Sequence, residues 1–259
     1  LINAVIFFTL QLLAIPLTLP AVGAVHLLVI AGLWLFSRHT ERVAPLPLVQ
    51  EQQALAMPRW LATGCGVLLG VILLNATIAA LMLPPFFWDG FAQWAMRAKQ
   101  ALSAATFTFE GVTQPQYPIL LHALQILPML TLGWSDSAAN AMTLLLSLST
   151  FLSFFLLMKR ARGTPAAFLM TTLLATIPLF AVHLRQGYAD IHWGMFALLS
   201  AFTLNAASRK QDTTMLLISF TFIAAAAWTK VEGLYLGVLP WLAIVLSTTA
   251  LRGMMRAAL

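Results

Sequence analysis

The sequence predicts an all-α, polytopic membrane protein. Three observations carry this. Of the 259 residues, 61% are hydrophobic and only 8% are charged, whereas soluble domains carry about 25% charged residues. Apolar runs long enough to cross a bilayer, which takes about 20 residues, recur along the chain. The basic residues sit in the polar segments between them and concentrate on one side of the predicted bundle.

Residues 1–36 are apolar but broken by Pro16 and Pro20, which predicts two short spans at 1–15 and 20–36. A polar segment, 37–59, follows. Residues 60–83 are long enough to span, and 84–116 form a long loop. The apolar stretch 117–132 is short and interrupted by Pro118 and Pro128. Further spans are expected at 138–158, 166–182, 192–207, 213–229 and 234–251. The chain begins at Leu1 inside one apolar run and ends soon after another, which suggests a piece of a longer protein. No cleavable signal peptide is visible. The single cysteine, Cys65, lies within an apolar run and implies no disulfide framework.

Whether 117–132 crosses decides the topology. If it does not, the segments 37–59, 159–162, 208–212 and 252–256 share one side. They hold ten of the fourteen basic residues: Arg38, Arg42, Arg59, Lys159, Arg160, Arg162, Arg209, Lys210, Arg252 and Arg256. The other side holds Arg97, Lys99, Arg185 and Lys230 with the acids Asp89, Glu110, Asp136, Asp190 and Glu232. That split obeys the positive-inside rule, so 117–132 reads as a re-entrant or juxtamembrane helix and the span count is eight. The same topology accounts for the net charge of +6 without nucleic acid.

The stretch 84–105 organises the rest. Pro84 and Pro85 end an apolar run, and a segment with helical periodicity follows. Asp89, Gln93, Arg97 and Gln100 share one face of that helix, and Phe91, Ala95, Ala98 and Leu102 the other. Such a helix is expected to lie at the membrane surface with its polar face in water. Asp89 then sits where the chain leaves the bilayer, either as a reactive carboxylate or as the helix N-cap.

Asp89, Asp190, Lys230 and Glu232 fall on the same predicted side. Carboxylates from three loops, accompanied by cations, suit a site that binds an anionic head group and takes a proton from an acceptor. Each has a plainer reading. Asp190 can cap the helix it precedes, Lys230 and Glu232 can solvate a tight turn, and Arg185 can reach lipid phosphates. His183 and His192 read as interfacial residues, since nine positions apart is not metal-ligand spacing on a helix. Tyr117, Trp88, Trp94, Trp134, Trp193 and Trp228 fit an aromatic belt. No P-loop, dinucleotide-binding glycine pattern, nucleophile elbow or zinc motif is present, which excludes ATPases and most soluble chemistries.

Trp88-Asp89-Gly90, Gln116-Tyr117-Pro118-Ile119-Leu120-Leu121, Gly133, Lys159-Arg160, Gln186-Gly187-Tyr188-Ala189-Asp190 and Thr229-Lys230-Val231-Glu232-Gly233 occur in that order. In order and predicted membrane side the chain resembles the GT-C fold membrane glycosyltransferases, among them protein O-mannosyltransferases and lipid A aminoarabinose transferases. The resemblance covers about residues 60–251. It implies a GT-C-like helical bundle with an outer juxtamembrane helical loop. On that reading 1–59 holds two N-terminal spans and a cytoplasmic loop. Residues 60–259 are then the catalytic region without its C-terminal part.

The resemblance further implies an inverting transferase of the cell envelope, using a polyprenyl-phosphate-linked sugar on the outer side of the cytoplasmic membrane. Asp89 matches the family's catalytic aspartate. Asp190 matches an acid that organises the site or a metal, so a divalent cation is the one cofactor left open. Lys230 matches a lysine at the donor phosphate, with Glu232, Arg97, Lys99, Arg185, Tyr117 and Tyr188 as further substrate-binding candidates. Asn140-Ala141-Met142 stands where the family often has an Arg-Leu pair, and Tyr117-Pro118 where it has Pro-Pro. Sugar and acceptor stay open. The rivals are a transporter or flippase for a lipid-linked glycan, with charges at the bilayer midplane, and a structural membrane subunit.

Overall fold

In the computed structural model, residues 2–39, 57–84, 87–107, 111, 114–184, 186–210 and 213–247 are described. Among them every regular element is helical. The chain divides into two compact units, residues 1–115 with 119–188 and residues 116–118 with 189–259.

The first unit contains α1 (Ile2–Leu12), α2 (Leu19–His39), α3 (Arg59–Met82), a π-helical segment (Asp89–Ala95) running into α4 (Met96–Ala104), α5 (Leu120–Leu132), α6 (Asp136–Arg162), α7 (Thr164–Thr176) and α8 (Pro178–His183). α3 starts after Pro58 and stops at extended Leu83, just before Pro84, where the helical donor is lost. It buries Cys65, Leu69, Ala76, Ala79 and Ala80 and leaves Val67, Val71, Leu74, Ile78 and Leu81 exposed. Its buried side packs on α6 and α7. There the Thr172 hydroxyl donates to the Cys65 carbonyl at 2.9 Å, satisfying a polar group inside an apolar contact.

α6 opens on Ser135, whose hydroxyl accepts from the Ala138 N–H. It closes with Lys159, Arg160 and Arg162 at the negative end of the helix dipole. Its buried Thr143, Ser147 and Thr150 turn their hydroxyls back onto backbone carbonyls of their own helix. The expected span 166–182 is two helices, because Pro178 lacks the N–H that would carry α7 past Ile177. α5 packs on α1, α4 and α6. α1 also ties down the segment after α4. Gln11 Nε2 donates to the Phe107 carbonyl at 2.6 Å, and the Phe107 N–H donates to Gln11 Oε1 at 2.9 Å.

The second unit contains α9 (Ala189–Lys210), α10 (Thr213–Thr229) and α11 (Val231–Ser247), whose second turn is the π-helical Leu234–Val238. The expected tail of the last span, 248–251, lies outside the described residues. Three side chains pin these helices together. Ser200 and Ser219 exchange hydroxyl-to-carbonyl bonds of 2.9 Å across α9 and α10, and Trp241 Nε1 donates to the Ser219 hydroxyl at 2.8 Å. All three are buried.

Two helices among the described residues, α3 and α6, are long and apolar enough to cross a membrane by length and composition. α5, α7, α10, α11 and the 19–32 portion of α2 are apolar but shorter.

Candidate functional site

Asp89 begins the π-helical segment that follows α3 in the chain. The cap position is Trp88, and no side chain caps this helix, so Asp89 is not an N-cap. Its half-buried carboxylate instead accepts from Gln93 Nε2 at 3.3 Å. Trp88 and Phe91 beside it are 72% and 46% exposed. Apolar surface therefore flanks the carboxylate on both sides.

The π-helical segment overturns the expected faces of the surface helix. Bonding from i to i+5 takes more residues per turn than an α-helix, so every side chain after it is rotated away from α-helical phase. Arg97 is buried at 4% exposure, together with Trp94, Ala95, Ala98 and Ala101, while Phe91, Lys99 and Gln100 are exposed. Arg97 is thus not on a water-facing stripe with Asp89. Its guanidinium donates to the Pro115 carbonyl at 3.4 Å. Burial lowers its pKa below the ordinary arginine value, yet an arginine stays protonated even so. Trp94 is likewise no belt residue. It is 1% exposed and packs its ring 5.2 Å from that of His122.

The loop before α9 approaches the Asp89 turn. The Phe87 N–H donates to Gln186 Oε1 at 3.4 Å, and the Tyr188 ring meets the Phe87 ring edge-on at 6.3 Å. Tyr188 also stacks on His183 at 4.3 Å. Arg185 lies outside the described residues.

In the second unit, four expected site residues come together. Lys230 Nζ lies 2.7 Å from Asp190 Oδ1 and 3.2 Å from Glu232 Oε1, and 5.8 Å from the centroid of the Tyr117 ring. Sequence spacing could not have paired Asp190 with Lys230, forty residues apart. Asp190 sits in the first turn of α9, where the helix dipole favours a carboxylate. Lys230 is the extended residue between α10 and α11, and Glu232 opens α11. Burial disfavours the Lys230 charge. The hydrogen bonds and charges of Asp190 and Glu232 outweigh it and raise the lysine pKa above its ordinary value. The cluster of two carboxylates and one ammonium is net negative. Glu232 Oε2 is buried with no hydrogen-bond partner among the described residues.

Comparison with family models, curated proteins and solved structures finds no match to this chain.

Among the described residues no group of three or more His, Cys, Asp or Glu side chains could hold a metal ion. His192, expected at an interface, is fully buried on α9. Asp136, one of the acids placed on the outer side, is the first residue of α6 and accepts from Trp134 Nε1 at 2.6 Å. Sequence reasoning gave no role to Gln125, Asn140 and Gln186, three buried amides of the first unit. The signal was present for Gln125 and Asn140, since an amide inside an apolar helix is costly unless it is satisfied.

Proposed function

We propose that the chain is part of an integral-membrane glycosyltransferase with several spans, moving a sugar from a polyprenyl-phosphate-linked donor to an acceptor hydroxyl at the outer face of the cytoplasmic membrane. The observation that carries this reading is the position of Asp89. A half-buried carboxylate, free of any capping duty, opens the π-helical turn that follows α3 in the chain, flanked by exposed Trp88 and Phe91. π-Helical turns recur at functional sites. A carboxylate at the mouth of a span-length apolar helix suits a substrate whose anchor is in lipid and whose reactive end is in water.

On this reading Asp89 takes the proton of the acceptor hydroxyl. The oxygen attacks the anomeric carbon, the bond to the phosphate oxygen breaks with inversion, and polyprenyl phosphate leaves. Lys230 uses two of its three donors on Asp190 and Glu232. Within the second unit, the third remains for an anionic oxygen.

The test is transfer of a radiolabelled sugar from a polyprenyl-phosphate donor by the full-length protein in liposomes. Transfer to an acceptor supports the enzyme. Movement of intact donor between leaflets without transfer supports the flippase instead.

A further inference from the structure

We infer that Gln186 is a positioning residue: its side chain and its backbone carbonyl together latch the 87–90 turn and so fix the Asp89 carboxylate. The latch itself stands on geometry. Its relevance to turnover rests on the assignment of Asp89 as base.

Four contacts within the first unit make the latch. Gln186 is 0% exposed, and its Oε1 accepts from the Phe87 N–H at 3.4 Å. Its carbonyl oxygen lies against Gly90, where an added Cβ would come within 2.3 Å of it, so only glycine fits next to Asp89. The Tyr188 ring closes the same contact, 3.6 Å from that Cβ position. Gly187, at φ +69°, turns the chain so that the position of an added Cβ lies 3.4, 3.6 and 3.8 Å from Asn140 Oδ1, Gln125 Nε2 and Thr143 Oγ1. A side chain there would find room at ordinary contact distance but would be strained by the positive φ.

The other end of the same segment is tied to the same amides. Asn140 Nδ2 donates to the Leu83 carbonyl at 3.1 Å, at the last turn of α3. Gln125 Nε2 donates to Thr143 Oγ1 at 3.4 Å and braces the pair. Leu83 and Phe87 are therefore each held by a buried amide, Asn140 of α6 and Gln186. Asp89 lies between the two held positions of the turn, Phe87 and Gly90. Prolines at 84 and 85 make that segment poor at forming its own backbone bonds. Side-chain amides supply what it lacks.

The experiment is maleimide labelling of Asp89→Cys in full-length protein lacking Cys65 (Cys65→Ser). Unfolding temperature is followed alongside. Gln186→Met keeps the volume and loses the acceptor, whereas Gln186→Glu keeps an acceptor oxygen. Gln186→Met is expected to speed labelling by about fivefold, the factor that one net hydrogen bond is worth. Gln186→Glu is expected to return the rate to within about twofold of the parent, since it restores that bond. Gly90→Ala is a second, independent way to open the latch and is expected to speed labelling at least as much. Equal labelling rates in all four backgrounds overturn the latch, and so does labelling that Gln186→Glu fails to restore.

Activity is read separately, with Asp89 intact. Gln186→Met is expected to lower kcat while leaving KM for the donor unchanged. If labelling responds as expected but the parent transfers no sugar, the latch stands and the glycosyltransferase reading fails.

Discussion

Lys230 and Asp190 are joined by a 2.7 Å charge-assisted hydrogen bond, forty residues apart in sequence, with Glu232 on the other side of the ammonium at 3.2 Å. The lysine side chain is 13% exposed, whereas the Asp190 and Glu232 side chains are each 36% exposed. The bond thus lies between the surface and buried limits. Removing the cation leaves two carboxylates to repel each other. Lys230→Met is expected to destabilise the protein by about 1.5–3 kcal/mol. The Asp190→Asn, Lys230→Met double variant is expected to lose less than the sum of the single variants. Thermal unfolding in detergent measures both.

The same pair carries a pH dependence with a defined sign. The lysine pKa is raised in the folded protein, through Asp190 and Glu232 acting against burial. Its contribution to stability is therefore fully present below the ordinary lysine pKa and is lost as pH rises through the raised value. The difference in unfolding temperature between parent and Lys230→Met is expected to be constant from neutral pH to about 9 and to shrink in stronger alkali. A difference that grows with pH contradicts the pairing.

Arg97 and Lys99 separate the observed phase of the surface helix from a regular α-helical one. Arg97 is buried and Lys99 exposed. Arg97→Ala is expected to cost about 2–4 kcal/mol through lost packing and unpaired backbone. Lys99→Ala is expected to stay within about 0.5 kcal/mol of the parent. Equal small effects from both changes point to an uninterrupted α-helix with Arg97 in water.

The ends of the long helices were legible because proline and charge punctuate apolar runs. The expected 60–83 is α3 at Arg59–Met82, and Thr213–Thr229 is α10. The break at Ile177 was signalled by Pro178 but hidden by the apolar run around it. The face of the helix after Asp89 was not legible. Periodicity assumes one helical pitch, and the π-helical segment changes the phase without a signal in composition. Arg97 and Trp94 were assigned outward for that reason. Asp190, Lys230, Glu232 and Tyr117 were legible as candidates because ionisable and aromatic residues stand out in so apolar a chain. Their pairing was not legible, since forty residues and a helical hairpin separate the partners. Gln125, Asn140 and Gln186 carry no charge, and it is their burial in the fold that marks them out.

Topology has its own test. In protein lacking Cys65, a cysteine at position 99 is expected to react with a membrane-impermeant maleimide added outside intact cells, and one at position 161 only after permeabilisation. The reverse pattern inverts the chain and removes the outer-face site.

The most direct measurement of the proposed chemistry is sugar transfer by full-length Asp89→Asn protein, compared with the parent at equal folded amount. Asparagine keeps an oxygen to accept from Gln93, so the unfolding temperature is expected to stay at the parental value. It has no carboxylate to take a proton, so turnover is expected to fall by about 10²–10⁴. Near-parental turnover by Asp89→Asn would contradict the assignment of Asp89 as the base.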